Sequence, residues 1–352
     1  MALPFFPTLD TASWWMAIFV VFNYLRDNGF FVYWSLVALA LYQVYRFVVW
    51  FWFNEESPLV GHKNAPKDEL KRFEHDFVTN VAKLGTEDIK KKRFVSDDGL
   101  EVEISQPVER KQYLCRTAIV LTHPWSVLGG DMDNNVPERL AQVFAHAGYV
   151  TVRFNFPGVG KSKGHCTWRA SAERSALLNV VDMLTGHDPE DPTSVRSNRP
   201  GYVAGIERVL LVGYSYGSMV SNACVRYRQE IIGFVSISCP FNVIWFLSLC
   251  GCHRLFEAMS TPFKPKLLIC GNVDNFLGPQ SFQQYVRKLP EKHRRSVTVD
   301  MIDHSWWGQE VGLGGMILSW MRKEFAEDDL FQQDRSKGLP DLPAPKDNKK
   351  DQ

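Results

Sequence analysis

Hydrophobic and polar positions fall into three regimes along the chain. The first is almost wholly apolar. Residues 30–53 read FFVYWSLVALALYQVYRFVVWFWF, 24 residues in which Gln43 and Arg46 are the strongly polar ones. As a helix this stretch would be about 36 Å long, enough for a bilayer core of about 30 Å. Trp34, Trp50 and Trp52 lie toward its ends, where interfacial aromatics belong, and Arg46 is close enough to one end to snorkel. A shorter apolar run, 14–25, precedes it, and Arg26-Asp27-Asn28-Gly29 between them is turn chemistry. The pair predicts either a hairpin dipping into a membrane or an interfacial helix followed by one span. Lys63, Lys67, Lys71 and Arg72 follow the span, which places the rest of the chain on the cytosolic side. The endoplasmic reticulum is one candidate membrane.

The second regime begins at 54. Residues 66–84 repeat apolar positions at helical spacing (Leu70, Phe73, Phe77, Val81), so 54–89 reads as a juxtamembrane helical linker. From 90 to 326 short β-branched runs alternate with helical patterns. Arg93–Ser96 and Leu100–Ser105 flank Asp97-Asp98-Gly99 as a hairpin. Further strands are expected at Thr117–Thr122, Tyr149–Phe156, Arg208–Gly213, Ile232–Ser238, Lys266–Cys270 and Ser296–Ile302. Helices are expected at Val136–His146, about Ala170–Leu184, from the 213–217 turn through Tyr227, between the last two strands, and at about Gly315–Phe325. Strands separated by helices predict an α/β fold, a mostly parallel sheet with helices on both faces. The third regime, 327–352, is a polar, proline-containing tail of disordered character.

Composition narrows the function classes. A chain of 352 residues with 45% hydrophobic residues accommodates one large domain plus additions. A net charge of +1 gives no basic field for nucleic acid. The seven cysteines are scattered and odd in number, and no N-x-[ST] acceptor occurs, which fits a reducing compartment. Cys250-Gly251-Cys252-His253 has no second ligand pair at metal spacing, so no metal site or cofactor is expected.

Two glycine-rich segments could carry chemistry. Gly160-Lys161-Ser162 resembles the end of a nucleotide-binding loop, but the pattern requires glycine at 155, where Asn155 stands. Gly213-Tyr214-Ser215-Tyr216-Gly217 is G-x-S-x-G between a strand and a helix, the setting in which a serine is presented on a sharp turn. A serine hydroxyl needs a base, and the base needs an orienting acid. Asp274 follows the strand at 266–270 and His304 follows the strand at 296–302, so all three would meet at the carboxyl edge of the sheet. Asp300 and Asp303 compete with Asp274; Asp303 adjoins His304, and neighbouring side chains usually diverge. The oxyanion donors would be the backbone N–H groups of Tyr216 and of Trp125, since Pro124 has none. His123 could be read as a second base, but the preferred reading is a structural residue hydrogen-bonding to the loop. Pro240–Pro262 is an apolar insert, a lid or acyl-chain wall beginning at Phe241, or else a core-packing helix. Trp306 and Trp307, with Phe241, are candidate pocket residues.

The segments LTHPWSVLGGDMDN, RFNFPGVGKSKG, VGYSYG, GNVDNF and DHSWW together resemble the α/β-hydrolase superfamily. They are most similar to a small bacterial-type branch with an HP…GGxMDN loop and an RFNFRGVG loop. Pro157 stands where that branch usually has arginine, so no role of that arginine carries over. The resemblance covers about 100–325 and implies a serine hydrolase with Ser215, Asp274 and His304 as its triad. The combined expectation is a membrane-anchored esterase, lipase or thioesterase acting on a small-molecule or lipid acyl substrate, with peptidase activity as a variant. The rival expectation is a non-catalytic, hydrolase-like interaction module tethered to a membrane.

Overall fold

The structure is a computed structural model that describes residues 70–75, 89–108, 116–167, 169–188, 197–241 and 263–325. The chain divides into two units, Met1–Val60 and Gly61–Gln352, and every described residue lies in the second. The apolar stretches 14–25 and 30–53, the insert 242–262 and the tail 327–352 lie outside the described residues. Among the described residues no helix is long and apolar enough to cross a membrane.

In chain order the strands are β1 Ile89–Val95, β2 Glu101–Pro107, β3 Thr117–Thr122, β4 Val150–Phe154, β5 Arg208–Tyr214, β6 Ile231–Ile237, β7 Lys266–Gly271 and β8 Arg294–Val299. The longer helices are α1 Asn135–His146, α2 Ser171–Thr185, α3 Tyr216–Cys224, α4 Pro279–Lys288 and α5 Glu310–Glu324. The strands form one eight-stranded sheet in the order β1-β2-β4-β3-β5-β6-β7-β8. β1–β2 and β2–β4 pair antiparallel, and all other neighbours are parallel. From β3 the chain steps outward to β4, then returns to the other flank of β3 as β5 and proceeds the opposite way. The direction of winding therefore reverses between β3 and β5. A crevice opens outside the carboxyl ends of the strands at such a reversal.

The local sequence explains this layering. In β3, Ala118 and Val120 join one buried cluster while Ile119 and Leu121 join the other. β5 alternates likewise, with Val209 and Leu211 on one face and Leu210 and Val212 on the other. A strand with two buried faces must be apolar throughout, which is why TAIVLT and RVLLVG carry no alternation of polarity. Helices α2, α3 and α4 cover the first face, and α1 and α5 cover the second.

Several boundaries differ from expectation for identifiable reasons. β4 ends at Phe154, where Asn155 donates its side-chain amide to Glu101 and accepts from Met132 N–H and Ser162 Oγ. α3 ends at Cys224 rather than Tyr227, and the carbonyls of Val225 and Arg228 instead accept from Lys264 Nζ at 2.8 Å. β8 begins at Arg294 and ends at Val299, because Met301 adopts φ 58° in a turn held by Asn272. The expectation to Ile302 followed a buried apolar residue that lies beyond that turn.

α5 begins at Glu310, five residues ahead of the expected start at Gly315. Gly312, Gly314 and Gly315, unfavourable in a helix interior, serve close packing inside it. A Cβ on Gly312 would lie 2.7 Å from the Leu70 carbonyl oxygen, and one on Gly315 would lie 2.9 Å from that of Phe73. Residues 70–75, within the stretch read as a linker, are helical and sit on this glycine surface, with Leu70 and Phe73 buried.

Candidate active site

Ser215 lies between the end of β5 and the start of α3, with φ 54° and ψ −123°. Positive φ strains any residue with a Cβ, and here the strain lifts the side chain to the strand edge. The turn is possible because its flanks lack side chains. A Cβ on Gly217 would sit 2.5 Å from the Thr122 carbonyl oxygen and 2.6 Å from that of His123. Thr122 Oγ1 also donates to the Gly217 carbonyl at 2.8 Å, so the end of β3 grips the turn directly.

Ser215 Oγ lies 2.8 Å from His304 Nε2, and His304 Nδ1 lies 3.0 Å from both carboxylate oxygens of Asp274. The Nδ1 hydrogen faces the carboxylate, which leaves Nε2 to accept the hydrogen from Ser215 Oγ. Phe276 N–H donates to Asp274 Oδ1 at 2.9 Å, and the Phe276 ring flanks the imidazole at a centroid distance of 4.6 Å. The Asp274 side chain is fully buried, while Ser215 and His304 each retain 8% exposure, so a narrow access remains at the reacting end. The competing acids are engaged elsewhere. Asp303 Oδ1 accepts from Ser305 N, Ser305 Oγ and Trp306 N, and Asp300 Oδ1 accepts from Asn272 Nδ2.

Tyr216 opens α3, where the first-turn N–H groups have no acceptor within the helix. Trp125 is half-buried just before a short 3-10 turn, Ser126–Leu128, and its ring lies 6.3 Å from that of Tyr216. The loop after β3 and the serine turn therefore meet, one on each side of the winding reversal. His123 is fully buried beside them. Its Nε2 accepts from Phe156 N–H at 2.9 Å, and its Nδ1–H donates to the Pro124 carbonyl at 2.7 Å. Burial lowers this imidazole to about 4, against the opposing pull of the Pro124 carbonyl. It is a neutral brace between two loops.

The Gly160-Lys161 loop has a structural occupation as well. Glu101 Oε2 accepts from Lys161 N–H and from Asn155 Nδ2, each at 2.8 Å. A carboxylate of the protein itself thus takes the backbone donor that a phosphate would need. Arg153, buried on β4, pairs with Glu103 at 2.7 Å and donates to the Met132 carbonyl, which ties the GGDMDN loop to the sheet.

The three aromatic pocket candidates part company. Trp306 is 1% exposed inside the core, with its indole N–H donated to Ser238 Oγ at 2.9 Å. Phe241 is equally buried and stacks on Tyr285 at 4.1 Å. Trp307 is 60% exposed, three residues beyond His304.

Sequence reasoning passed over Tyr214. Its hydroxyl donates to the His304 carbonyl at 2.7 Å. The available signal was a tyrosine at the end of a buried strand, because a buried phenol almost always finds an acceptor.

No protein-family model matches the chain. An uncharacterized protein of Rickettsia prowazekii (strain Madrid E) is 27% identical over 173 residues, which is 49% of this chain. The chain spans 62% of that relative's length. Among solved structures, an α/β serine hydrolase without lid from Xanthomonas campestris is 23% identical, with a TM-score of 0.51, covering 68% of this chain and 97% of that one. A putative α/β hydrolase from Agrobacterium tumefaciens gives the same identity and TM-score, covering 68% and 98%. A protein of Butyrivibrio proteoclasticus with ferulic acid bound is 14% identical, with a TM-score of 0.51, covering 67% and 99%. The chain has the α/β-hydrolase fold.

Proposed function

We propose that the protein is a membrane-anchored serine hydrolase that cleaves carboxylic ester or thioester bonds of an acyl substrate. The observation that carries this reading is the 2.8 Å approach of Ser215 Oγ to His304 Nε2, with Asp274 at 3.0 Å on the far side of the ring. Ser215 attacks the acyl carbon while His304 takes its proton and Asp274 steadies the imidazolium. The N–H groups of Tyr216 and Trp125 receive the oxyanion. The imidazolium then protonates the leaving alcohol or thiol. A water molecule, deprotonated by the same imidazole, releases the acid and restores Ser215. The apolar stretch 30–53 supports a membrane-resident or lipid-derived substrate, and the exposed Trp307 near His304 is consistent with one.

The test is a fluorophosphonate probe together with aryl esters of graded chain length. Wild type should label, and Ser215→Ala should not label and should lose at least about 10³-fold in kcat. An unlabelled wild type, or equal labelling of the alanine variant, refutes the serine nucleophile. Turnover of acetyl esters with none of long-chain esters removes the lipid part of the reading.

A further inference from the structure

We propose that Tyr214 is a positioning residue for the base: its hydroxyl, donated to the His304 carbonyl, fixes the imidazole relative to the serine that follows Tyr214 in the chain. This rests on the reading of Ser215 and His304 as nucleophile and base.

The geometry is specific. Tyr214 is the last residue of β5, so its backbone is bonded to that of Ser215. Its side chain crosses to the loop after β8 and bonds the main chain of His304 itself, 90 positions along the sequence. The phenol ring lies 5.6 Å from the imidazole at an interplanar angle of 31°, which supports the ring as well as the backbone. Tyr214 is buried. Burial foremost, with Asp274, Asp303 and Glu310 nearby, raises its ionisation well above that of an ordinary phenol. The group therefore stays a donor, which is what a carbonyl requires.

The other ties on this loop act elsewhere. Asp274 meets the imidazole at Nδ1, and Asn135 Nδ2 donates to the Ser305 carbonyl at 2.8 Å. Trp306 is pinned to Ser238. These contacts, with the Asp303 bonds to Ser305 and Trp306, hold the residues around His304. The Tyr214 hydroxyl holds the His304 main chain itself, from the strand that carries Ser215. Proton transfer needs heavy atoms at about 2.6–3.2 Å, so a modest swing of His304 disables it without touching the substrate's binding surfaces.

The experiment uses the full chain with a fluorophosphonate and one soluble aryl ester, and all rates are normalised to titrated active sites. Tyr214→Phe removes one oxygen and keeps the ring. It should slow phosphonylation about tenfold or more and lower kcat by a similar factor, with KM within about twofold of wild type. 4-Aminophenylalanine at 214 returns a donor and should recover a rate within about threefold of wild type. A merely structural role would lower the titratable fraction and leave the rate per site unchanged. A phenylalanine variant that reacts at the wild-type rate, or whose loss is confined to KM, overturns the inference. Should that variant not fold, the 4-aminophenylalanine protein decides, and a rate below about a tenth of wild type overturns the inference. Failure of wild type itself to label overturns the nucleophile reading and this one together. That outcome is distinct from a reactive wild type indifferent to residue 214.

Discussion

Asp274→Asn isolates what the carboxylate does. The substitution keeps shape and volume at a fully buried position, so packing is conserved. Phe276 N–H, 2.9 Å from Oδ1, requires an acceptor there and so directs the amide oxygen to that site. The amide nitrogen then replaces Oδ2, 3.0 Å from His304 Nδ1. The amide oxygen also lies 3.0 Å from Nδ1 but is uncharged, and the opposed amide N–H repels an Nδ1 hydrogen, so the ring hydrogen shifts toward Nε2. Nε2–H then points at Ser215 Oγ and cannot accept its proton. In serine triads a carboxylate-to-amide exchange of this kind lowers kcat by roughly 10⁴, equivalent to about 5 kcal/mol of transition-state stabilisation. The assay is kcat for a soluble aryl ester, normalised by active-site titration, for Asp274→Asn and for Asp303→Asn. Asp303 Oδ1 braces the following turn, so its variant should retain far more activity. An Asp274→Asn enzyme with more than a tenth of wild-type kcat would refute the tautomer argument.

Two further outcomes follow from particular residues. His123 is fully buried and its folded-state value falls to about 4 from 6.5, so the unfolded chain binds a proton that the native chain refuses. Its contribution is complete above about 6.5 and is lost as pH falls toward 4, at about 1.4 kcal/mol per pH unit and about 3 kcal/mol in all. Urea unfolding between pH 4 and 7 should show a shallower slope for His123→Gln, which keeps an acceptor for Phe156 N–H; an unchanged slope would sink this assignment. The full chain should remain in membranes through alkaline carbonate extraction, and a chain lacking residues 1–53 should be released. Release of the full chain would remove the anchor, and retention of the shortened one would place it elsewhere.

The legible parts of the fold were those where one physical demand dominates. β3 and β5 are buried on both faces, and their unbroken apolar runs announce it. The turn at Ser215 was legible because two glycines flank it and strand and helix patterns adjoin it. Asp274 and His304 could be proposed because each follows a strand, and parallel strands deliver their carboxyl ends to one edge. Where two demands compete, reading failed. Propensity disfavours the glycines of α5, but close approach of another backbone to Gly312 and Gly315 outweighs it, and the helix starts five residues ahead of the expected Gly315. β8 was carried too far because burial of Ile302 continued an apolar pattern past a turn that only tertiary contacts impose. The placement of Trp306, Phe241 and Trp307 depends on packing between distant segments, which spacing does not encode. The same holds for the Tyr214–His304 bond, whose acceptor is a carbonyl and so leaves no mark in residue type.

The seat formed by Gly312 and Gly315 has a consequence for how a pull on the leading end of the chain would be borne. Leu70 and Phe73 wedge their main chain against a helix whose first residue, Glu310, is joined through Asn135 to the carbonyl of Ser305, next to the base. Tension arriving from upstream meets this wedge before it meets any strand of the sheet. The folded unit accordingly starts ahead of β1, and the stretch read as a helical linker includes its mooring.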